Sequence, residues 1–197
     1  EINTEQFKKD HLLNEKEIIA LLPGSREQEV TKMLELMLSV RPYFKDYQFV
    51  IAGAPSLPKE FYQKFVDENV HFVSNRTYDL LRCSKVALVT SGTATLETAL
   101  LNIPEVVCYK SSTISYEIGK RVVKNIKYIS LVNLLMDEEI VTELIQKELT
   151  TENLVRELNH ILKGEKRNQM LSDFEKLQNK LGGKGASDIA AEIIING

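Results

Sequence analysis

The chain alternates between short, unbroken apolar runs and longer stretches in which apolar residues are spaced out. Residues 17–22 (EIIALL) are apolar after Glu17 and are closed by Pro23 and Gly24. A run of that length, ended by turn residues, reads as a strand buried on both faces. Residues 26–41 then place Val30, Met33, Leu34, Met37 and Leu38 three or four positions apart or side by side, which is a helical stripe. The exchange repeats. Strands are predicted at 48–52, 70–73, 85–90, 105–109 and 128–131, and helices at 58–69, 77–83, 94–101 and 115–123. Such alternation specifies βαβ units, and hence a Rossmann-like α/β fold: a parallel sheet flanked by helices on both faces. From residue 137 the strand signal stops. Leu154, Leu158, Ile161 and Leu162 mark one helix, Met170, Phe174, Leu177 and Leu181 a second, and Ala186, Ile189, Ala190 and Ile193 a third. The expected organisation is a linker or entering helix (1–14), a Rossmann-like core (15–136) and a helical C-terminal tail (137–197).

Composition narrows the classes. With 197 residues, 43% hydrophobic and 27% charged, the chain can bury a full core and is not a disordered segment. The formal net charge is −3, from 25 basic and 28 acidic residues, so no nucleic-acid partner is expected. Cys83 and Cys108 form no CxxC and are expected to be reduced thiols in the cytosol. No stretch approaches the ~18 apolar residues of a membrane span. The first residues, Glu1-Ile2-Asn3-Thr4-Glu5, lack the basic and apolar regions of a signal peptide. The chain starts at Glu1 rather than Met, which with the polar 1–14 stretch suggests a cut piece of something longer.

In an open α/β sheet, ligands sit beyond the carboxyl ends of the strands. After the first predicted strand comes Pro23-Gly24-Ser25-Arg26. Gly24 permits a sharp turn, Ser25 can cap the next helix, and Arg26 presents a planar cation suited to phosphate. Taken alone, the stretch is equally a turn, a cap and a solvated Arg. After the fourth comes Ser91-Gly92-Thr93-Ala94-Thr95-Leu96-Glu97. Its hydroxyls and glycine open a helix whose free N–H groups attract an anion. Glu97, one turn in, either joins a capping box or faces sugar hydroxyls. Two such loops in one sheet favour a phosphorylated ligand. There is no P-loop, no GxGxxG and no GxSxG. The stretch 182–187 follows a helix and reads as a helix stop and restart. His11, His71 and His160 form no ligand pair, so no metal site and no cofactor are expected. Residues 110–127 are locally basic, either a solvated helix face or a contact to phosphates or an anionic membrane.

These blocks resemble the lipid-A-disaccharide synthase family. The resemblance rests on Leu21-Leu22-Pro23-Gly24-Ser25-Arg26, on Ser91-Gly92-Thr93-Ala94-Thr95-Leu96-Glu97 and on Ile103-Pro104-Glu105-Val106-Val107-Cys108-Tyr109-Lys110. Ile129-Ser130-Leu131-Val132-Asn133-Leu134-Leu135, Glu143-Leu144-Ile145-Gln146, and Gly185-Ala186-Ser187 before Ala190-Ala191 follow in the same order. Together they cover about residues 15–195. Val132 and Thr142 stand where the family has Pro, a change in loop stiffness rather than ligand chemistry.

The resemblance implies one lobe of a GT-B glycosyltransferase, the C-terminal lobe that binds the UDP sugar. The implied reaction moves 2,3-diacylglucosamine from its UDP conjugate to 2,3-diacylglucosamine 1-phosphate, without a metal and with inversion. Gly24, Ser25 and Arg26 would meet the nucleotide or diphosphate, Ser91, Gly92 and Thr93 the diphosphate, and Glu97 the ribose. Asn133 and Gln146 fall on motif positions near the donor. No catalytic residue is expected in this lobe, because the base and the lipid acceptor belong to the N-terminal lobe. The implied setting is the cytoplasmic side of a Gram-negative inner membrane, with peripheral membrane contact. Exposed Leu and Ile on the last helices would favour a homodimer. A UDP-sugar epimerase of similar fold, or a non-catalytic nucleotide-binding module, stays open beside this reading.

Overall fold

The computed structural model of the chain describes residues 3–110 and 127–182. The strands β1 (Glu17–Leu22), β2 (Tyr47–Gly53), β3 (Val70–Ser74), β4 (Ser84–Thr90), β5 (Glu105–Tyr109) and β6 (Thr142–Ile145) form one sheet of order β3-β2-β1-β4-β5-β6. All neighbouring pairs are parallel. The order reverses between β1 and β4, which creates a crevice at the carboxyl ends of those two strands. The helices described are α1 (Thr4–Asp10), α2 (Glu27–Leu38), α3 (Lys59–Tyr62), α4 (Thr77–Arg82), α5 (Thr93–Leu100), α6 (Leu131–Met136), α7 (Thr151–Leu162) and α8 (Glu165–Lys180).

The period-2 geometry of strands divides the apolar runs between two faces. Ile19, Leu21, Phe49, Ile51, Val86 and Leu88 pack under Val30, Met33 and Leu34 of α2, Leu154 and Leu158 of α7, and Phe174 and Leu177 of α8. Ile18, Ala20, Leu22, Val50, Ala87 and Val89 pack against Phe7 of α1 and Leu80 and Leu81 of α4. The predicted continuous runs are therefore two half-cores interleaved along each strand. Each fully buried Leu or Ile contributes about 1.5–3 kcal/mol relative to exposure, so the sheet is a rigid base for its loops. Residues 3–14 join the second half-core: Asn3 caps α1, accepting from the Glu5 and Gln6 amides, and Phe7 is buried. Cys108 is buried and Cys83 half-buried, both as free thiols. Among the described residues no helix is long and apolar enough to cross a membrane.

Three expectations need correction. Residues 128–131 are not a strand. Ser130 caps α6, its hydroxyl accepting from the Asn133 amide at 3.2 Å, and the apolar residues that follow continue as helix. The sixth strand lies further on, at Thr142–Ile145. It is an edge strand with only Leu144 buried, so it lacks the unbroken apolar run of the inner strands. The expected helix over 58–69 breaks after α3 and a 3-10 turn at Gln63–Phe65. Asp67 ends it by accepting from the amides of Asn69 (2.9 Å) and Val70 (3.1 Å), a local turn that competes with helix. Ser25 does not cap α2; the cap position is Arg26, with no side-chain bond. The helices expected at 115–123 and 186–193, most of the basic stretch 110–127, and the Gly185-Ala186-Ser187 block lie outside the described residues.

Candidate functional site

An open cleft of about 390 Å³ sits at the carboxyl ends of β1, β2 and β4. Leu22, Gly24 and Ser25 form its β1 side, Ala52 to Pro55 its β2 side, and Thr90 to Ala94 with Glu97 its β4 side. Gly24 turns with φ +99°, a conformation that costs other residues strain. Gly92 caps α5 at φ +154°, and among the described residues nothing lies within 4 Å of where a Cβ would stand. Thr93 and Ala94, the first residues of α5, line the cleft, and the Thr95 amide donates to the Gly92 carbonyl at 3.3 Å. The first N–H groups of a helix have no partner one full turn back and carry its positive dipole end.

The loops are tied to one another. The Ser56 hydroxyl donates to the Ser25 carbonyl at 2.7 Å, joining the β2 loop to the β1 loop. The Tyr62 hydroxyl accepts from the Ala54 amide at 3.0 Å, and the Tyr62 ring stacks on Phe72 at 4.6 Å. On the β4 side, the Ser91 hydroxyl donates to the Ile129 carbonyl at 3.0 Å. Residue 129 is in turn held by Glu143, whose carboxylate accepts from the amides of Ile129 and Ser130, the Ser130 hydroxyl and the Asn133 side chain, all at 2.7–2.9 Å.

Six of the nine predicted residues therefore share one cleft: Gly24, Ser25, Ser91, Gly92, Thr93 and Glu97. Arg26 stands beside it, its exposed guanidinium paired with Glu29 at 3.3 Å. Asn133 is fully buried and does not reach the cleft. Its amide donates to the Val141 carbonyl and Glu143 (both 2.9 Å) and accepts from the amides of Ile140 (2.8 Å) and Val141 (3.0 Å). Its role is to brace the α6–β6 connection behind Ser91. Gln146 follows β6 at the same end of the sheet, with φ +52° and its amide donating to the Tyr109 carbonyl at 2.9 Å.

Sequence reading missed Thr77 and Tyr78, at the start of α4 after β3, and the Ala52–Pro55 wall after β2. The signal was present: the rule that directs attention past β1 and β4 applies equally to β2 and β3. Tyr78 and Glu97 line the same cleft, and the negative charge of Glu97 holds the Tyr78 phenol pKa above its ordinary value. Among the described residues no three or more His, Cys, Asp or Glu side chains are grouped so as to hold a metal ion.

A crevice at the sheet's switch point, a glycine turn, an open helix start and an acidic residue one turn in fit a phosphorylated sugar or nucleotide. The model of the lipid-A-disaccharide synthetase family matches residues 1–194. The chain belongs to that family. The lipid-A-disaccharide synthase of Syntrophus aciditrophicus is 36% identical over 182 residues, which are 88% of this chain and 47% of that protein. The chain spans about half the length of the curated relatives it matches. Among solved structures, the spinosyn rhamnosyltransferase SpnG complexed with thymidine diphosphate superposes with a TM-score of 0.62 at 13% identity. That match covers 90% of this chain and 45% of SpnG. The S. aureus MnaA–UDP co-structure superposes at 0.55 with 16% identity, over 98% of this chain and 48% of MnaA. At these identities the matches show the fold: the expected parallel α/β sheet, shared with GT-B glycosyltransferase structures. Family membership and fold agree with the synthase resemblance that the sequence blocks carry.

Proposed function

We propose that this chain is the UDP-sugar-binding lobe of a lipid-A-disaccharide synthase. In this reading the enzyme transfers 2,3-diacylglucosamine from UDP-2,3-diacylglucosamine to 2,3-diacylglucosamine 1-phosphate. The observation that carries the reading is the convergence of the Gly24 turn, the α5 N-terminus and Glu97 on one cleft at the β1/β4 switch point. The diphosphate lies at the start of α5, where the first N–H groups and the helix dipole offset its charge. As the glycosidic bond to the β-phosphate breaks, charge accumulates on the UDP oxygens. The same N–H groups, with Arg26 turned from Glu29, stabilise that charge. Glu97 accepts from the ribose hydroxyls. The acceptor lipid and the base that takes its proton belong to the half of the enzyme that this chain does not span. Placement at the cytoplasmic face of the inner membrane follows from the lipid substrates.

Titration calorimetry tests the reading. The 197-residue chain is expected to bind UDP, and Glu97→Gln and Arg26→Ala to weaken it about tenfold each, the scale of one hydrogen bond to a charged group. Equal affinity in all three proteins would overturn the site assignment. The chain alone is expected to form no disaccharide; measurable turnover would overturn the lobe assignment.

A further inference from the structure

Among the described residues, four side-chain atoms are buried without a hydrogen-bond partner, and one of them, Thr90 Oγ1, belongs to a residue that lines the cleft. Thr90 is the last residue of β4. It stands one position past Val89, which pairs with Leu22 at the end of β1, so it occupies the fork where the two loops part. Strand alternation puts it on the face of Val86 and Leu88. Its methyl carbon Cγ2 is on the side of the Gly24 turn, 3.6 Å from where a Cβ on Gly24 would stand, while the hydroxyl is turned away from water. Stability does not explain a hydroxyl there. A buried hydroxyl loses its bonds to water, and with no acceptor it gains nothing in return. Valine has nearly the same shape and would fill the place without that cost. The neighbouring hydroxyl shows the contrast: Ser91 donates to the Ile129 carbonyl at 3.0 Å.

We infer that Thr90 is a ligand-binding residue of this cleft: when a phosphorylated ligand enters, its side chain turns about χ1 and the hydroxyl donates to a phosphate oxygen. One step of about 120° between staggered wells carries Oγ1 to the place that Cγ2 holds in the free chain, with no backbone movement. The single proton of the hydroxyl has no acceptor to leave, so no bond is broken to make the new one. The new bond is charge-assisted, and therefore stronger than one to a neutral oxygen. Resting on the diphosphate position proposed above, this adds to the N–H groups of α5 a donor from β4 itself.

The test places Thr90→Val and Thr90→Ser in the 197-residue chain. Urea denaturation follows the free proteins, calorimetry reads UDP, and uridine is read by its displacement of UDP. Thr90→Val should unfold at the same urea concentration as the parent or at a higher one. It should bind UDP about tenfold more weakly, the scale of one hydrogen bond to a charged group. Its uridine affinity should match that of the parent. Thr90→Ser keeps the hydroxyl and should bind UDP as the parent does. Unchanged UDP affinity in Thr90→Val overturns the role of Thr90 and leaves the UDP reading standing. An equal loss of UDP and uridine also overturns it, because the change is then one of cleft shape. So does a Thr90→Ser as weak as Thr90→Val, which points to the methyl group. A lower unfolding midpoint in Thr90→Val overturns it as well, since the hydroxyl then has a partner in the free chain. A parent chain that does not bind UDP overturns the UDP reading and this inference with it.

Discussion

Replacing Asn133 by Asp isolates the brace behind the cleft. The change conserves volume, so it leaves no cavity. Oδ1 still accepts from the amides of Ile140 and Val141. Nδ2, however, becomes an oxygen 2.9 Å from two other acceptors, the Val141 carbonyl and Glu143 Oε1. Two carboxylates at about 3 Å repel by roughly 5 kcal/mol at an effective dielectric constant of 20. The introduced carboxyl avoids most of that by staying protonated, and then still donates to Glu143. Holding the proton at pH 7 against an unfolded pKa near 3.9 costs about 4 kcal/mol, at ~1.4 kcal/mol per unit. The Val141 carbonyl, left without its donor, adds about 1 kcal/mol. The expected destabilisation is therefore about 5 kcal/mol at pH 7 and about 2–3 kcal/mol at pH 5. The sign follows from the raised folded pKa: the variant is least impaired below the unfolded pKa and loses stability as pH rises toward the folded one. Asn133→Ala, with no added ionisable group, should differ from the parent by the same amount at both pH values. Urea denaturation of parent and both variants at pH 5 and 7 measures this. A cost below about 1 kcal/mol at pH 7, or one independent of pH for Asn133→Asp, would refute the account of Asn133 as a fully committed buried donor.

Glu105 should act in the opposite way, as a liability in the parent. Both of its carboxyl oxygens are buried without hydrogen-bond partners among the described residues, and burial pushes its pKa well above the ordinary value. The parent should therefore lose stability as pH rises from about 4.5 toward that raised pKa. Glu105→Met should gain about 1–3 kcal/mol at pH 7 and flatten the dependence, as read by thermal melts between pH 5 and 8. Gly92→Ala has open space for its Cβ, so its cost is backbone strain alone, about 1–3 kcal/mol by denaturation. It should also weaken UDP by displacing the start of α5, which calorimetry would register.

The parts of the fold that were legible are those whose local pattern matches their final environment. β1, β2 and β4 are buried on both faces, and their unbroken apolar runs say so. β6 is half-exposed at the sheet edge, and four residues reading Thr-Glu-Leu-Ile carry no comparable signal. Side-chain hydrogen bonds to Asp67 end one helix and a bond to Ser130 starts another where a strand was expected, and apolar spacing encodes neither. The cleft was legible where glycine and hydroxyl chemistry follows a strand, at Gly24 and at Ser91 to Thr93. Asn133 was found by motif, but its function depends on Val141 and Glu143, eight and ten residues away across a turn. Tyr78 and Glu97 line one cleft because α4 and α5 flank the same crevice, a juxtaposition set by sheet order.

That geometry also redistributes work among the residues at the start of α5. Ser91 reads in sequence as a phosphate-binding hydroxyl. A hydroxyl has one proton to donate, and that of Ser91 goes to the Ile129 carbonyl. What it has left are lone pairs, which repel an anion. Ser91 thus serves the site through the backbone: its bond to residue 129, fixed in turn by Glu143, sets where the Gly92 turn begins. On the proposed function, an anion in the cleft would be met by the N–H groups that follow and by Thr93. It follows that Asn133, which never touches the cleft, and Gly92, which has no side chain, govern the same quantity: the position of the first turn of α5. Preorganised N–H groups stabilise charge only when they need not move to meet it. The separate blocks at 91–97, 129–135 and 143–146 are thus joined through Ser91, Ile129, Asn133 and Glu143, with the start of α5 at one end and its support at the other.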